Sequence, residues 1–166
     1  MEALLKLHRM WLSNPSEGRQ AELNGAPLNG ENFTGANLTR LVATGASFHE
    51  ARFYDADLSE SNVSGAEFYR ARLYHSSLLN TTARDVNFVG SKIDHCDFSG
   101  ADLSGSSFWR AEMIQCTFRG ADLTACDFRE ARMRGADLRG ADLTGSTGLT
   151  PEQIAQAIID DSTLLP

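Results

Sequence analysis

From Ala21 to Gly145 apolar and polar positions follow a five-residue rhythm that never slips. Each unit centres on an apolar residue, usually Leu or Phe. A small residue stands two places before it, and polar or Gly positions follow, as in Ala101-Asp102-Leu103-Ser104-Gly105 and Ala136-Asp137-Leu138-Arg139-Gly140. These 125 residues hold twenty-five units without an insertion. The period does not fit a helix, whose apolar face recurs at alternating steps of three and four. It describes a short extended segment with two inward residues, followed by a corner that Gly or a polar residue permits. A longer period lies over the first. Read every twenty residues, the centres give Leu28, Phe48, Phe68, Phe88, Phe108 and Phe128, and the other centres sort into three further columns. Leu23, Ala43, Val63, Ala83, Leu103, Leu123 and Leu143 make up the small-residue column. Four pentads per turn predict an all-β solenoid, a four-sided parallel β-helix of about six coils, spanning roughly 30 Å at the usual strand spacing.

The flanks read differently. Ala3 to Leu12 is predicted as a short helix with Leu4, Leu7, Met10 and Trp11, together with His8, on one face; Ser13-Asn14-Pro15-Ser16 ends it. Trp11 is expected to cover open strand edges at the first end. Thr150-Pro151-Glu152-Gln153 is a helix start, with Thr150 as N-cap, Pro151 at the first helical position and Gln153 completing a capping box. Leu149 and Ile154 occupy the hydrophobic-staple positions, and Ile154, Ala157 and Ile158 are expected to face one way. The organisation is therefore an N-terminal helical cap (1–20), a repeat body (21–145) and a C-terminal helical cap (146–166). The alternatives are a partner-binding helix at the first end and a dimerising one at the second.

The tandem unit Ala-Asp-Leu-X-X, running over about three quarters of the chain, resembles the pentapeptide repeat family, whose consensus is A-(D/N)-L-X-X. The resemblance implies a right-handed, four-sided β-helix with the central Leu or Phe and the preceding small residue inward. Some members of that family protect DNA gyrase or topoisomerase from quinolones and toxins and are regarded as imitating B-form DNA; some pair through their C-terminal ends.

Departures from the unit mark expected weak points. Leu41-Val42-Ala43-Thr44-Gly45 moves bulk away from the centre, Thr81-Thr82-Ala83-Arg84-Asp85 has a small centre and no Gly, and Glu31 puts a carboxylate in an inward slot. Glu31 should lie near the open end or be paired, because an unpaired buried charge is costly.

A net charge of −7 disfavours direct binding to nucleic acid or to an anionic membrane. No apolar run is long enough to span a bilayer, and the first twelve residues do not read as a secretory signal. A cytoplasmic address is expected, with Cys96, Cys116 and Cys126 reduced. All three occupy inward small-residue slots and read as core. His75 and His95 share an outward column, with Asp94 adjacent. They could hold a metal, but they read as solvated surface residues. No cofactor fingerprint, metal-ligand spacing or nucleophile–base pair stands out. Catalytic, cofactor and metal residues are therefore expected to be absent, and the chain is expected not to be an enzyme.

The outward columns carry the functional expectation. Two adjoining faces hold every Tyr and the only repeat-borne Trp, with most of a basic column: Arg52, Tyr54, Tyr69, Arg70, Arg72, Tyr74, Lys92, Trp109 and Arg110. Exposed Tyr, Trp and Arg are the residues enriched at interface hot spots, so this surface is the candidate for a protein partner. The other two faces carry Asp57, Asp97, Asp102, Asp122, Asp137 and Asp142. They define the alternative, a DNA-mimicking surface for DNA gyrase or a related topoisomerase, although Asp before the centre is also repeat consensus. The chain is expected to be a monomer or a homodimer joined through the C-terminal helix.

Overall fold

The structure, a computed structural model, describes residues 2–166; Met1, the first residue of the expected N-terminal cap, lies outside them. Between the flanking segments every pentad adopts the same conformation. Its second residue forms an isolated parallel bridge with the residue twenty positions on, from Glu22↔Val42 through to Asp127↔Thr147. Two backbone bonds make each bridge: Phe68 N–H donates to the Asn87 carbonyl at 2.8 Å and Asn87 N–H to the Ala66 carbonyl at 3.0 Å. One turn of the chain is thus twenty residues, as the columns require.

The corners explain the period of five. The centre's carbonyl accepts the N–H three residues on, as from Ala71 to Phe68 at 3.0 Å. The fifth residue between them takes a left-handed backbone, as the third position of a type II turn demands. Gly fills many of these positions, but thirteen non-glycine residues hold φ between 53° and 60° there, Arg70 and Ala125 among them. The fifth N–H then bonds to the next coil, as from Arg70 to the Val89 carbonyl at 3.1 Å.

The core is a column of stacked rings. Phe48, Phe68, Phe88, Phe108 and Phe128 are fully buried, with successive centroids 4.8, 5.2, 5.1 and 5.4 Å apart. Phe98 and Phe118 form a second stack at 5.0 Å, and Phe88 meets Phe98 edge-on. The expected weak points are absorbed. Leu41 and Ala43 are both buried, Thr81 satisfies its hydroxyl on the Leu58 carbonyl at 2.9 Å, and Val86 fills the inward slot beside Phe88. Glu31 is exposed, at the open first coil.

The ends depart from the sequence reading in detail. The first helix, α1, spans Glu2–Ser13. Leu4 and Leu5 pack against the core while Leu7 and Met10 stay exposed, so the buried stripe is rotated from the expected one. The anchor is not Trp11, which is only half-buried, but His8. Its Nδ1 accepts the Ala21 N–H and its Nε2 bonds the Thr39 carbonyl, both at 3.0 Å, and Trp11 stacks on its ring. Two backbone groups needing a partner outweigh apolar area at this position. The chain returns close under α1 at Gly18, where a Cβ would collide with the Trp11 backbone nitrogen. Pro27 occupies a first-coil site whose equivalents, such as Val42 and Arg52, donate their N–H to the preceding coil. Having no N–H, it leaves one donor fewer on the open edge.

The second helix, α2, is short, Pro151–Gln156, and its capping box forms as expected. The Gln153 side chain reaches back to the Phe128 and Ala131 carbonyls at 3.1 and 2.8 Å. The helix stops before Ala157, so Ile158 does not continue its face. Instead Ile158 and Leu164 bridge to Asp137 and Asp142 in parallel, adding backbone pairing to two sides of the last coil.

Candidate functional site

Positions two, four and five of each pentad point outward, so side chains twenty residues apart stand side by side about 4.8 Å apart. This register turns the predicted aromatic and basic residues into two clusters. The first joins Tyr54 and Tyr74, whose rings lie 5.3 Å apart, with Tyr69, which meets His49 at 5.7 Å and carries the Arg70 guanidinium 5.0 Å above its ring. All three tyrosines are half-buried by this laddering. Burial also pushes the Tyr74 phenol above its usual pKa, a trend that Lys92 partly opposes. Arg52 and Arg72 bridge one another on the adjoining side and, with Glu50 and Arg70, line an open cleft of about 300 Å³.

The second cluster lies two coils on. Trp109 sits between two guanidinium groups, Arg110 at 4.8 Å and Arg129 at 5.5 Å, and its Nε1–H donates to Glu130 at 3.3 Å. Arg110 also pairs with Glu130 at 2.7 Å, which raises the Arg110 pKa and lowers that of Glu130. Arg129 and Glu130 were not among the predicted residues. The signal that finds Glu130 is opposite charge at a spacing of twenty, which also pairs Arg40 with Glu60 at 2.8 Å and Lys92 with Glu112 at 3.6 Å. Lys92 belongs to neither cluster; it pairs with Glu112 at 3.6 Å, and Arg132 meets the same carboxylate from the other side, also at 3.6 Å.

The acidic columns have a local role. Asp57, Asp97, Asp102, Asp122, Asp137 and Asp142 each accept the backbone N–H two residues on, at 2.9 to 3.3 Å. Asp102 also pairs with Arg84 at 2.5 Å. Asp137 is held between Arg119 and Arg139 at 2.6 and 2.7 Å and is 7% exposed. The Arg139 hydrogen bond leads the causes that drop the Asp137 pKa far below the usual carboxylate range, against an opposing desolvation.

The histidine pair forms a stack, His75 over His95 at 4.9 Å and 17°, while Asp94 accepts the Ile114 N–H at 2.9 Å. Among the described residues no group of three His, Cys, Asp or Glu is placed to hold a metal. The cysteines are buried, and desolvation raises the thiols of Cys96 and Cys126 to about 12 and that of Cys116 well above its ordinary value. Each instead donates to a carbonyl of the coil before, Cys116 to Ile93 and Cys126 to Leu103 at 2.5 and 3.2 Å, and Cys96 to Leu73. Thiolate reactivity is suppressed in such surroundings. No helix among the described residues is long and apolar enough to cross a membrane.

Comparison with solved structures finds matches of low identity. HetL, a pentapeptide repeat protein involved in heterocyst differentiation regulation in the cyanobacterium Nostoc sp. strain PCC 7120, is 24% identical over 88% of this chain and 75% of its own, with a TM-score of 0.40. QnrB1, a plasmid-mediated fluoroquinolone resistance protein, is 19% identical over 85% of this chain and 73% of its own, with a TM-score of 0.44. A pentapeptide repeat protein of the Arabidopsis thaliana thylakoid lumen is 23% identical over 68% of this chain and 71% of its own, with a TM-score of 0.28. No curated protein matches. The family model for pentapeptide repeats (8 copies) matches residues 19–53, 51–88, 84–120 and 106–145, the whole body of stacked coils. The chain belongs to the pentapeptide repeat family, and its body is that family's right-handed β-helix.

Proposed function

We propose that this chain is a non-catalytic interaction module, a rigid rod of about six coils that presents its aromatic and basic faces to a protein partner. The observation that carries this reading is the contrast between the two kinds of outward column. The acidic side chains are each engaged by their own backbone, and Asp102 and Asp137 by neighbouring arginines as well. The Tyr54, Tyr69, Tyr74 and Trp109 rings are held in fixed orientations and half-exposed, beside guanidinium groups. Preset aromatic rings contribute contact area at little entropic cost, which suits anchors of an interface. The test is capture of partners from the native cell, repeated with Tyr69→Ala, Tyr74→Ala and Trp109→Ala. Retention of the same partner by all three variants would sink the reading.

The second reading, a DNA-mimicking partner of gyrase or another topoisomerase, draws on the overall charge of −7. It requires the acidic columns to meet the enzyme, and Asp137 is not available for that in its present pairing. The terminal segments 1–20 and 146–166 act as caps on the open coils in this proposal. If the chain forms a homodimer, the segment after α2 is the apolar surface for it, with Ile158 and Leu164 46% and 53% exposed.

A further inference from the structure

The rod shows how its own stability is served when charges stack, and one place departs from that rule. Twelve Lys and Arg side chains lie in the repeat body, and eight of them pair with a carboxylate within 4.0 Å. Among the described residues the other four are Arg134, which lines a separate cleft with Arg132 and Glu152, and Arg52, Arg70 and Arg72, which converge on one cleft. Arg52 and Arg72 are bridged neighbours on successive coils, a placement that sets like charges directly against each other and costs stability. Further along the same column Glu112 stands between Lys92 and Arg132 and pairs with both. In the corner column Arg110 pairs with Glu130, but the equivalent Glu50 and Arg70 form no ion pair; Arg70 lies over Tyr69 instead. The cleft therefore carries three guanidinium groups against one carboxylate, a net charge of +2 on a chain of −7.

We propose that the Arg52–Arg70–Arg72 cleft binds a phosphate monoester carried on a side chain of the protein partner. The charge matches: a phosphorylated side chain carries about −1.5 to −2 at neutral pH and offers three acceptor oxygens to guanidinium forks. One carboxylate would be satisfied by a single arginine fork and would leave the other two uncompensated. A long polyanion such as duplex DNA meets the repulsion of the acidic faces and of the whole chain. Tyr54 and Tyr74 follow Arg52 and Arg72 by two residues, at the next outward position, so a ringed ledge adjoins the cleft for the residues that flank the phosphate. The inference rests on the reading of these faces as the partner surface and adds what the partner must carry.

The test is titration of the full chain with labelled phosphoserine and phosphotyrosine peptides of otherwise neutral sequence, their unphosphorylated twins, inorganic phosphate and a short DNA duplex. A phosphopeptide should bind while its twin does not, and inorganic phosphate should compete. Arg52→Gln and Arg72→Gln should each weaken binding tenfold or more, with melting temperatures at or above wild type because a like-charge contact is relieved. Arg134→Gln should change nothing. Equal binding of the unphosphorylated twin, preferential binding of the duplex, or an equal loss in Arg134→Gln would overturn the site. Binding of inorganic phosphate without either phosphopeptide would overturn the assignment to a partner side chain. If no phosphate species binds and Tyr69→Ala still loses the captured partner, this inference fails and the interaction-module reading survives.

Discussion

At the scale of single residues, the fold depends on a conformation that most side chains resist. The fifth residue of each pentad is left-handed, a backbone that costs an L-residue roughly 1–2 kcal/mol. Polar residues at many of these positions, Asn80 and Asp85 among them, tolerate it better than most. Ala125 has no such excuse: it stands in a column with Gly25, Gly45, Gly65, Asp85, Gly105 and Gly145, with φ of 55°. Ala125→Gly should therefore stabilise the protein by about 1 kcal/mol in chemical denaturation, and a destabilised variant would show that the corner is not strained. The opposite sign is expected inside. Phe88 touches a ring above, a ring below and Phe98 at its edge, so Phe88→Ala should cost ~3–5 kcal/mol. This much was legible in the sequence, because a fixed period fixes every contact: once twenty residues make a coil, the neighbour of Phe88 is known without coordinates. The cysteines were legible for the same reason, as inward-slot residues.

At the scale of elements, legibility fails where the period does. Ile158 and Leu164 pair with residues twenty-one and twenty-two positions back, so no column extends to them, and an apolar pattern at helical spacing was the stronger local signal. The charge ladders that hold Lys92, Arg110 and Trp109 were missed for another reason: side-chain pairing depends on rotamers, which composition by column does not report. In α1 the anchor was obscured because His8 is polar and its partners are backbone groups. Its hydrogen bonds fix the neutral ring, with Nε2–H donating to Thr39 because Nδ1 accepts from Ala21. Burial lowers the His8 pKa below 6.5, and the Thr39 carbonyl opposes that only in part. The sign follows from linkage: the ring binds a proton more readily once α1 is released. Its contribution is present in full above pH 6.5 and is lost as pH falls through the folded value. Trp11 stacks on this ring and reports the release. In a Trp109→Phe background, acidification should change Trp11 fluorescence below pH 6.5, and His8→Ala should abolish that transition while costing about 1–3 kcal/mol for the Ala21 N–H left without a partner. A Trp11 signal that stays flat with pH would refute the anchor. Removing residues 150–166 should have a different consequence, exposing the edge at Asp137 and Asp142 and promoting association of chains.

At the scale of the whole molecule, the register that builds the rod also separates two possible surfaces, and this separation makes the function testable. The aromatic and basic residues occupy two adjoining faces, the Asp columns the other two, and no core residue belongs to either set. Truncation of Tyr69, Tyr74 or Trp109 should cost ~2 kcal/mol of partner affinity, roughly thirtyfold, as buried aromatic anchors do. Asp122→Asn and Asp142→Asn should leave partner affinity unchanged, because each carboxylate serves the N–H two residues on and Asn retains that acceptor oxygen. A DNA mimic reverses both expectations: the Asp substitutions weaken topoisomerase binding, the aromatic ones do not, and affinity falls steeply with salt. Gyrase supercoiling and quinolone-stabilised cleavage with purified protein decide between them. We expect no effect at micromolar protein, because side chains already committed to their own turns and to Arg84, Arg119 and Arg139 give up those contacts before they can meet a DNA-binding surface. Inhibition that is lost in the Asp variants and kept in the aromatic ones would assign the rod to topoisomerase and leave the Tyr and Trp ladders as structure alone.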